Sequence, residues 1–138
     1  MDVRTRLTIR PHIPGDVIAT FAYPSTIIEA TESGQILSFN PDFYEGRIVE
    51  YLSNGRDRVM LPGPCYRTDM VIHHGASGGP VAGPSGRVFG INSTGFDGTN
   101  DFYISRINEI FSLEIETGES DSITIQQLVN EGAVTVDP

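Results

Sequence analysis

Residues 75–81 read Gly75-Ala76-Ser77-Gly78-Gly79-Pro80-Val81. A serine flanked by glycines and closed by a proline marks a turn with a free backbone and a presented hydroxyl. Acyl transfer from an amide needs a nucleophile held at one point and donors aimed at the place where the oxyanion forms. Gly75 lets the chain turn so that its own N–H and that of Ser77 point the same way. Gly78 and Gly79 leave room for a carbonyl to come close. Ser77 is thus the candidate nucleophile and Gly75 a candidate oxyanion donor. Taken alone, the stretch also fits a plain glycine-rich turn with an exposed serine. Pro80-Val81-Ala82-Gly83-Pro84 follows, and two prolines in five residues break helices and open a β-hairpin.

Working outward, residues 80–82 and 87–91 flank Gly83-Pro84-Ser85-Gly86, a hairpin signal, and 102–106 form the last strand. Upstream, Leu7 and Ile9 alternate with Arg6, Thr8 and Arg10, the period-2 pattern of a half-buried strand. Strands are predicted at 17–23, 25–31 and 35–39, with Pro24 and Ser33-Gly34 between them. Residues 46–52 and 59–61 flank Asn54-Gly55, whose tolerance of positive φ predicts a hairpin. The tail differs. Ile107, Ile110, Phe111 and Leu113 predict a short helix, and Thr124-Ile125-Gln126-Gln127 resembles a capping box for a helix at 126–131, stopped by Gly132. Regularly spaced short strands with Gly/Pro turns predict an all-β barrel, here over residues 1–113. A helical or irregular extension occupies 114–138.

The chain has 138 residues, 38% hydrophobic and 20% charged, which suits one soluble globular domain. A net charge of −9 argues against a nucleic-acid partner, because phosphate neutralisation needs a basic surface. No apolar run approaches the roughly 20 residues of a membrane span. The single cysteine, Cys65, excludes an internal disulfide and reads as a small half-buried hydrophobe. No His/Cys/Asp cluster has metal-ligand spacing and no cofactor motif is present. Residues 1–6 are charged and lead into no apolar signal core, which, if Met1 is the natural start, points to a bacterial cytoplasmic protein.

The order of these segments resembles the C-terminal barrel of the trypsin-like (chymotrypsin-fold) serine peptidases, especially the bacterial branch without disulfides. Gly75 to Val81 is followed by the 83–86 hairpin, then Val88-Phe89-Gly90-Ile91-Asn92-Ser93-Thr94-Gly95, then Phe102-Tyr103-Ile104-Ser105-Arg106-Ile107. Residues 15–24 resemble the strand that opens the same barrel, and Gly46-Arg47-Ile48-Val49 and Arg67-Thr68-Asp69-Met70 fall where its middle strands belong. The similarity covers about residues 7–113. The Gly-x-Ser-x-Gly elbow of α/β-hydrolases matches residues 75–79 in letters, but that elbow runs from a strand into a helix. The peptidase resemblance implies a six-stranded Greek-key-like barrel, one half of a chymotrypsin-type double barrel, with short C-terminal helices.

It also implies roles. Ser77 is the nucleophile, and the N–H groups of Gly75 and Ser77 form the oxyanion hole. Ser93 falls where the family has a serine that steadies the catalytic aspartate. Thr94 and Gly95 pair with an extended polypeptide substrate, or Ser93 to Gly95 are an ordinary strand end. Ala76 replaces the aspartate of animal trypsins, so activation by a new N-terminal amine is not expected. The primary specificity pocket is walled by 71–74, 93–95 and the segment near Asp101. Val71 stands where trypsin has its pocket-floor aspartate. Asp101 either reaches the pocket and favours Lys or Arg, or is a solvated loop acid. His73 and His74 either polarise an acidic substrate side chain or are loop residues at the mouth.

The general base and its orienting acid are not legible. None of His12, His73 and His74 has the matching context, and Asp2 lies too close to Gly15-Asp16 to belong to the family's aspartate strand. The expected partners are a polypeptide substrate and either a missing N-terminal barrel or a second copy of the chain. A degenerate barrel that binds peptides without hydrolysing them is the alternative.

Overall fold

Alternation along β2 (Val17–Ala22) turns Ile18, Thr20 and Ala22 inward and leaves Val17 and Phe21 exposed. The same logic builds the rest of the molecule. The computed structural model describes residues 4–96, 99–118 and 121–138; Asp2 lies outside them. The other strands are β1 (Arg6–Thr8), β3 (Ile27–Thr31), β4 (Gly34–Ser38), β5 (Asp42–Leu52), β6 (Cys65–Thr68), β7 (Pro80–Ala82), β8 (Val88–Gly95), β9 (Phe102–Arg106), β10 (Glu114–Glu116), β11 (Ser122–Thr124) and β12 (Thr135–Asp137), with one helix, α1 (Ile125–Asn130).

Strands β8-β7-β2-β5-β6-β9 lie side by side and β9 pairs again with β8, which closes a six-stranded antiparallel barrel. Closure leaves its backbone groups paired around the ring and removes open sheet edges. The core is filled by Ile18, Ile48, Tyr66, Met70, Val81 and Ile104, among others. Each fully buried aliphatic side chain of this kind contributes about 1.5–3 kcal/mol. Outside the barrel, β1 runs parallel to β12 and to the start of β8, where Leu7, Val88 and Ile107 make a second cluster. Strands β3 and β4 pair only with each other.

Several local expectations are corrected. Residues 59–61 form no strand; β5 pairs instead with β6, across a loop of residues 53–64. The Asp57 carboxylate accepts from the N–H groups of Val59 (2.9 Å) and Met60 (2.6 Å), a side-chain turn that competes with a ladder. Those two N–H groups, together with Arg56, hold Asp57 down at a pKa of about 2. The helix predicted over 107–113 is a short 3-10 turn, Ile107–Ile110. The capping box is present, with Gln127 N donating to Thr124 Oγ1 at 3.1 Å and Thr124 N to Gln127 Oε1 at 2.7 Å. The tail also carries the β10–β11 hairpin and β12. Cys65 is fully buried, between Leu61 and Tyr103, and burial pushes its thiol pKa up. Among the described residues no helix is long and apolar enough to cross a membrane.

Candidate active site

The chain leaves β6 on one side of the barrel and re-enters at β7, beside β2. Residues 69–79 make this crossing and carry the glycine loop. Gly75 has φ +92° and Gly78 φ +88°, left-handed values that a side chain resists. A Cβ on Gly75 would also sit 3.1 Å from the Pro24 carbonyl oxygen, so the root of the β3–β4 hairpin lies against this turn.

One buried amide holds the loop. Asn92, in the middle of β8, donates from Nδ2 to Thr20 Oγ1 at 2.7 Å and to the Ala76 carbonyl at 3.3 Å. Thr20 Oγ1 donates in turn to the Pro80 carbonyl at 2.7 Å. The Asn92 backbone adds two bonds, accepting from Gly78 N at 2.8 Å and donating to Gly79 O at 2.9 Å, and Gly79 N donates back to Ala76 O at 3.1 Å. Ala76 is buried, and its carbonyl is therefore shared by two donors. Asn92 was not singled out from sequence. Its signal was an amide in the otherwise apolar run Phe89-Gly90-Ile91, since a polar group on an inward strand position must find partners.

Ser77 is exposed at the tip of this turn. Its hydroxyl donates to the Ser93 carbonyl at 3.0 Å, and a hydroxyl has only one proton to give. Among the described residues, neither the Gly75 N–H nor the Ser77 N–H has a protein acceptor. Two unengaged backbone donors thus stand at Ser77, its own N–H and that of Gly75.

A cavity of about 120 Å³ opens beside Ser77. Eight of the residues predicted from sequence line it: Val71, Ile72, His73, His74, Gly75, Ser77, Gly95 and Asp101. Ser93 and Thr94 do not line it. Ser93 meets Ser77 through its carbonyl, and Thr94 Oγ1 accepts from Arg56 Nη1. Arg56 also lies over the rings of Phe96 (4.7 Å) and Tyr103 (5.3 Å), bracing the strand end from outside. Met70, buried, and Phe102 form the apolar base of the cavity. His73 Nδ1 lies 3.1 Å from the Tyr44 hydroxyl, whose own pKa is raised by burial and by Asp42. Asp101 accepts from Arg67 Nη1 at 3.0 Å. His12 is elsewhere: its ring packs on Phe89 (3.8 Å between centroids), and Nδ1 lies 3.0 Å from Asp16 Oδ2. Among the described residues no group of three or more His, Cys, Asp or Glu could hold a metal ion.

No family model matches the chain, and neither does any curated protein. Solved structures do. The protease Rv3671c from M. tuberculosis, in an inactive serine-to-alanine form, superposes with a TM-score of 0.56 at 19% identity over 94% of this chain and 53% of its own. A second inactive form of Rv3671c protease gives 0.55 at 21% identity over 76% of this chain and 50% of its own. The chain is one barrel of the trypsin-like serine protease fold. The HtrA-type protease AlgW, solved with a decapeptide, gives 0.55 at 19% identity over 94% of this chain and 33% of its own. The chain therefore spans about half the length, or less, of the proteases it matches. Gly75 and Ser77 of the glycine loop and Gly95 at the end of β8 line one cavity.

Proposed function

We propose that this barrel carries the nucleophile and the oxyanion hole of a serine endopeptidase. The observation that supports it most is Ser77 on a positive-φ turn, with two unengaged backbone N–H donors, its own and that of Gly75, and a cavity beside it. In the reaction Ser77 Oγ attacks the carbonyl carbon of a peptide bond and its proton passes to a base. The oxyanion rests on the N–H groups of Gly75 and Ser77. The C–N bond then breaks, the amine leaves with the proton, and water hydrolyses the acyl-enzyme. The pairing of β7 with β8 stops at Ile91, so beyond Asn92 that side of β8 is open to an extended polypeptide along Ser93, Thr94 and Gly95.

The base and its aspartate come from a second barrel, on the same or another polypeptide. In support, His12 is engaged with Asp16 and Phe89, and His73 with Tyr44. Without that barrel the chain is not an efficient hydrolase. Fluorophosphonate labelling of the 138-residue chain is expected to run no faster than labelling of a serine-containing peptide. Fast labelling abolished by Ser77→Ala would overturn this part. Ala76 offers no carboxylate to an N-terminal amine, and a gain of activity that required a buried free N-terminus would count against that.

A second reading has one observation in its favour. The Ser77 hydroxyl donates to the Ser93 carbonyl instead of to a base, the state expected of a barrel that binds peptide without cutting it. The coding sequence on either side of these 138 codons separates the two. A histidine- and aspartate-bearing barrel there supports the peptidase, and unrelated sequence supports the binding module.

A further inference from the structure

We infer that Arg67 sets the charge preference of the cavity beside Ser77, making it a subsite for an uncharged substrate side chain. The inference rests on the peptidase reading of that site. Among the described residues Asp101 is the only carboxylate lining the cavity. Left unpaired at its rim, it would favour Lys or Arg. It is not unpaired, because its Oδ1 accepts from Arg67 Nη1 at 3.0 Å. Arg67 stands in the middle of β6, opposite Tyr103 on β9, and does not itself line the cavity. Its Nε is fixed by Glu50 Oε2 at 3.2 Å, on the neighbouring β5. The guanidinium is thus anchored from the outer face of the barrel and turns one arm to Asp101.

Among the described residues the rest of the lining holds no second carboxylate, and its titratable groups are His73 and His74. Met70 and Phe102 are buried apolar residues, Ile72 is half-buried, and Phe96 and Gly95 close the far side. His73 is tied to Tyr44. A cationic side chain entering here would have to share Asp101 with Arg67. An anionic one would meet Asp101 itself. Only an uncharged side chain enters without disturbing the Arg67–Asp101 pair.

The test uses binding, so it does not depend on turnover. Acetylated tetrapeptides that differ only in their C-terminal residue (Val, Leu, Lys or Glu) are titrated into the isotope-labelled chain, and the amide signals of Gly75, Ser77 and Phe96 are followed. Val and Leu peptides are expected to bind at least about fivefold more tightly than Lys or Glu peptides, the scale of one partly exposed ion pair. In Arg67→Met the stem still covers the sheet while the charge is gone. There the Lys peptide is expected to gain about fivefold with the Val peptide unchanged, and the gain is expected to vanish in Arg67→Met/Asp101→Asn. Equal binding of Lys and Val peptides to the wild-type chain overturns the inference, as does an Arg67→Met chain in which the Lys peptide gains nothing relative to the Val peptide. Those results leave the peptidase site standing. If no peptide moves the Gly75 and Ser77 signals, the peptidase reading fails and this inference fails with it.

Discussion

Ser77 owes its position to Asn92 more than to its own neighbours in sequence. The amide ties β8, Thr20 of β2 and the Ala76 carbonyl into one buried network. Its Oδ1 has no partner among the described residues, so the residue carries a desolvation cost along with its bonds. The donors evidently outweigh that cost. Asn92→Ala is expected to lower stability by about 1–3 kcal/mol in urea unfolding, because it leaves the Thr20 and Ala76 oxygens buried and underserved. Asn92→Asp is expected to be worse, since a carboxylate cannot donate to the Ala76 carbonyl and would bury a charge beside it. An Asn92→Ala chain as stable as the wild type would show that the amide's donors are not what holds the loop. The turn chemistry around Ser77 was legible in the glycines. The brace was not, because it joins residues 72 positions apart.

At the scale of elements, β12 shows how little sequence separates a tail from a sheet strand. Thr135–Asp137 has no strong β pattern, yet it pairs in parallel with β1. Asp137 fixes it there, accepting from Arg6 Nε at 2.9 Å and also from Arg87. The Arg6 bond and then the Arg87 bond hold the Asp137 carboxyl at a pKa of about 2, below its ordinary 3.8. A depressed carboxylate pKa stabilises the fold above the ordinary value and ceases to as the pH falls through the folded one. Asp137→Asn is therefore expected to melt below the wild type at pH 6 and to converge with it as the pH drops from about 4 to about 2. A gap in melting temperature that persists at pH 2 would mean the pair is not its source. The loop at 53–64 teaches the complementary point. Asn54-Gly55 reads as a tight hairpin, and Gly55 does have φ +76°. The side chain of Asp57 then captures two N–H groups that a strand would have used.

The whole molecule leaves apolar surface uncovered. The β3–β4 hairpin pairs Ile28 with Leu37 on one face, and these are 62% and 49% exposed. Phe39, at 59%, and Tyr23 continue the patch, with their rings 5.8 Å apart. A two-stranded hairpin that pairs with no third strand is marginal in water, and contiguous apolar surface of this kind favours a partner. The hairpin root touches the glycine loop at Pro24, so a body covering it would also stand near Ser77. In the absence of a second barrel, another copy of the chain is expected to take its place. Light scattering should show a mass that grows with concentration, and Ile28→Glu/Leu37→Glu should return it to the monomer without changing the melting temperature of the barrel. A wild-type chain that stays monomeric at high concentration would remove self-association from the account.

By itself the sequence determined strands β2 to β5 and β7 to β9, the turn that presents Ser77 and the absence of an internal disulfide. Those features are local: side-chain alternation, prolines, glycines and the cysteine count act within a few residues of where they stand. Only the tertiary structure decided that β12 joins β1, that Asn92 ties the glycine loop to β2 and β8, and that Arg67 pairs with Asp101. Each depends on a buried amide or a shared guanidinium finding its partner across the barrel, and a partner's distance through space is not written in its distance along the chain. The glycine loop at Gly75–Pro80 could therefore be recognised from its letters, while what braces it and which charges pair at the neighbouring cavity could not.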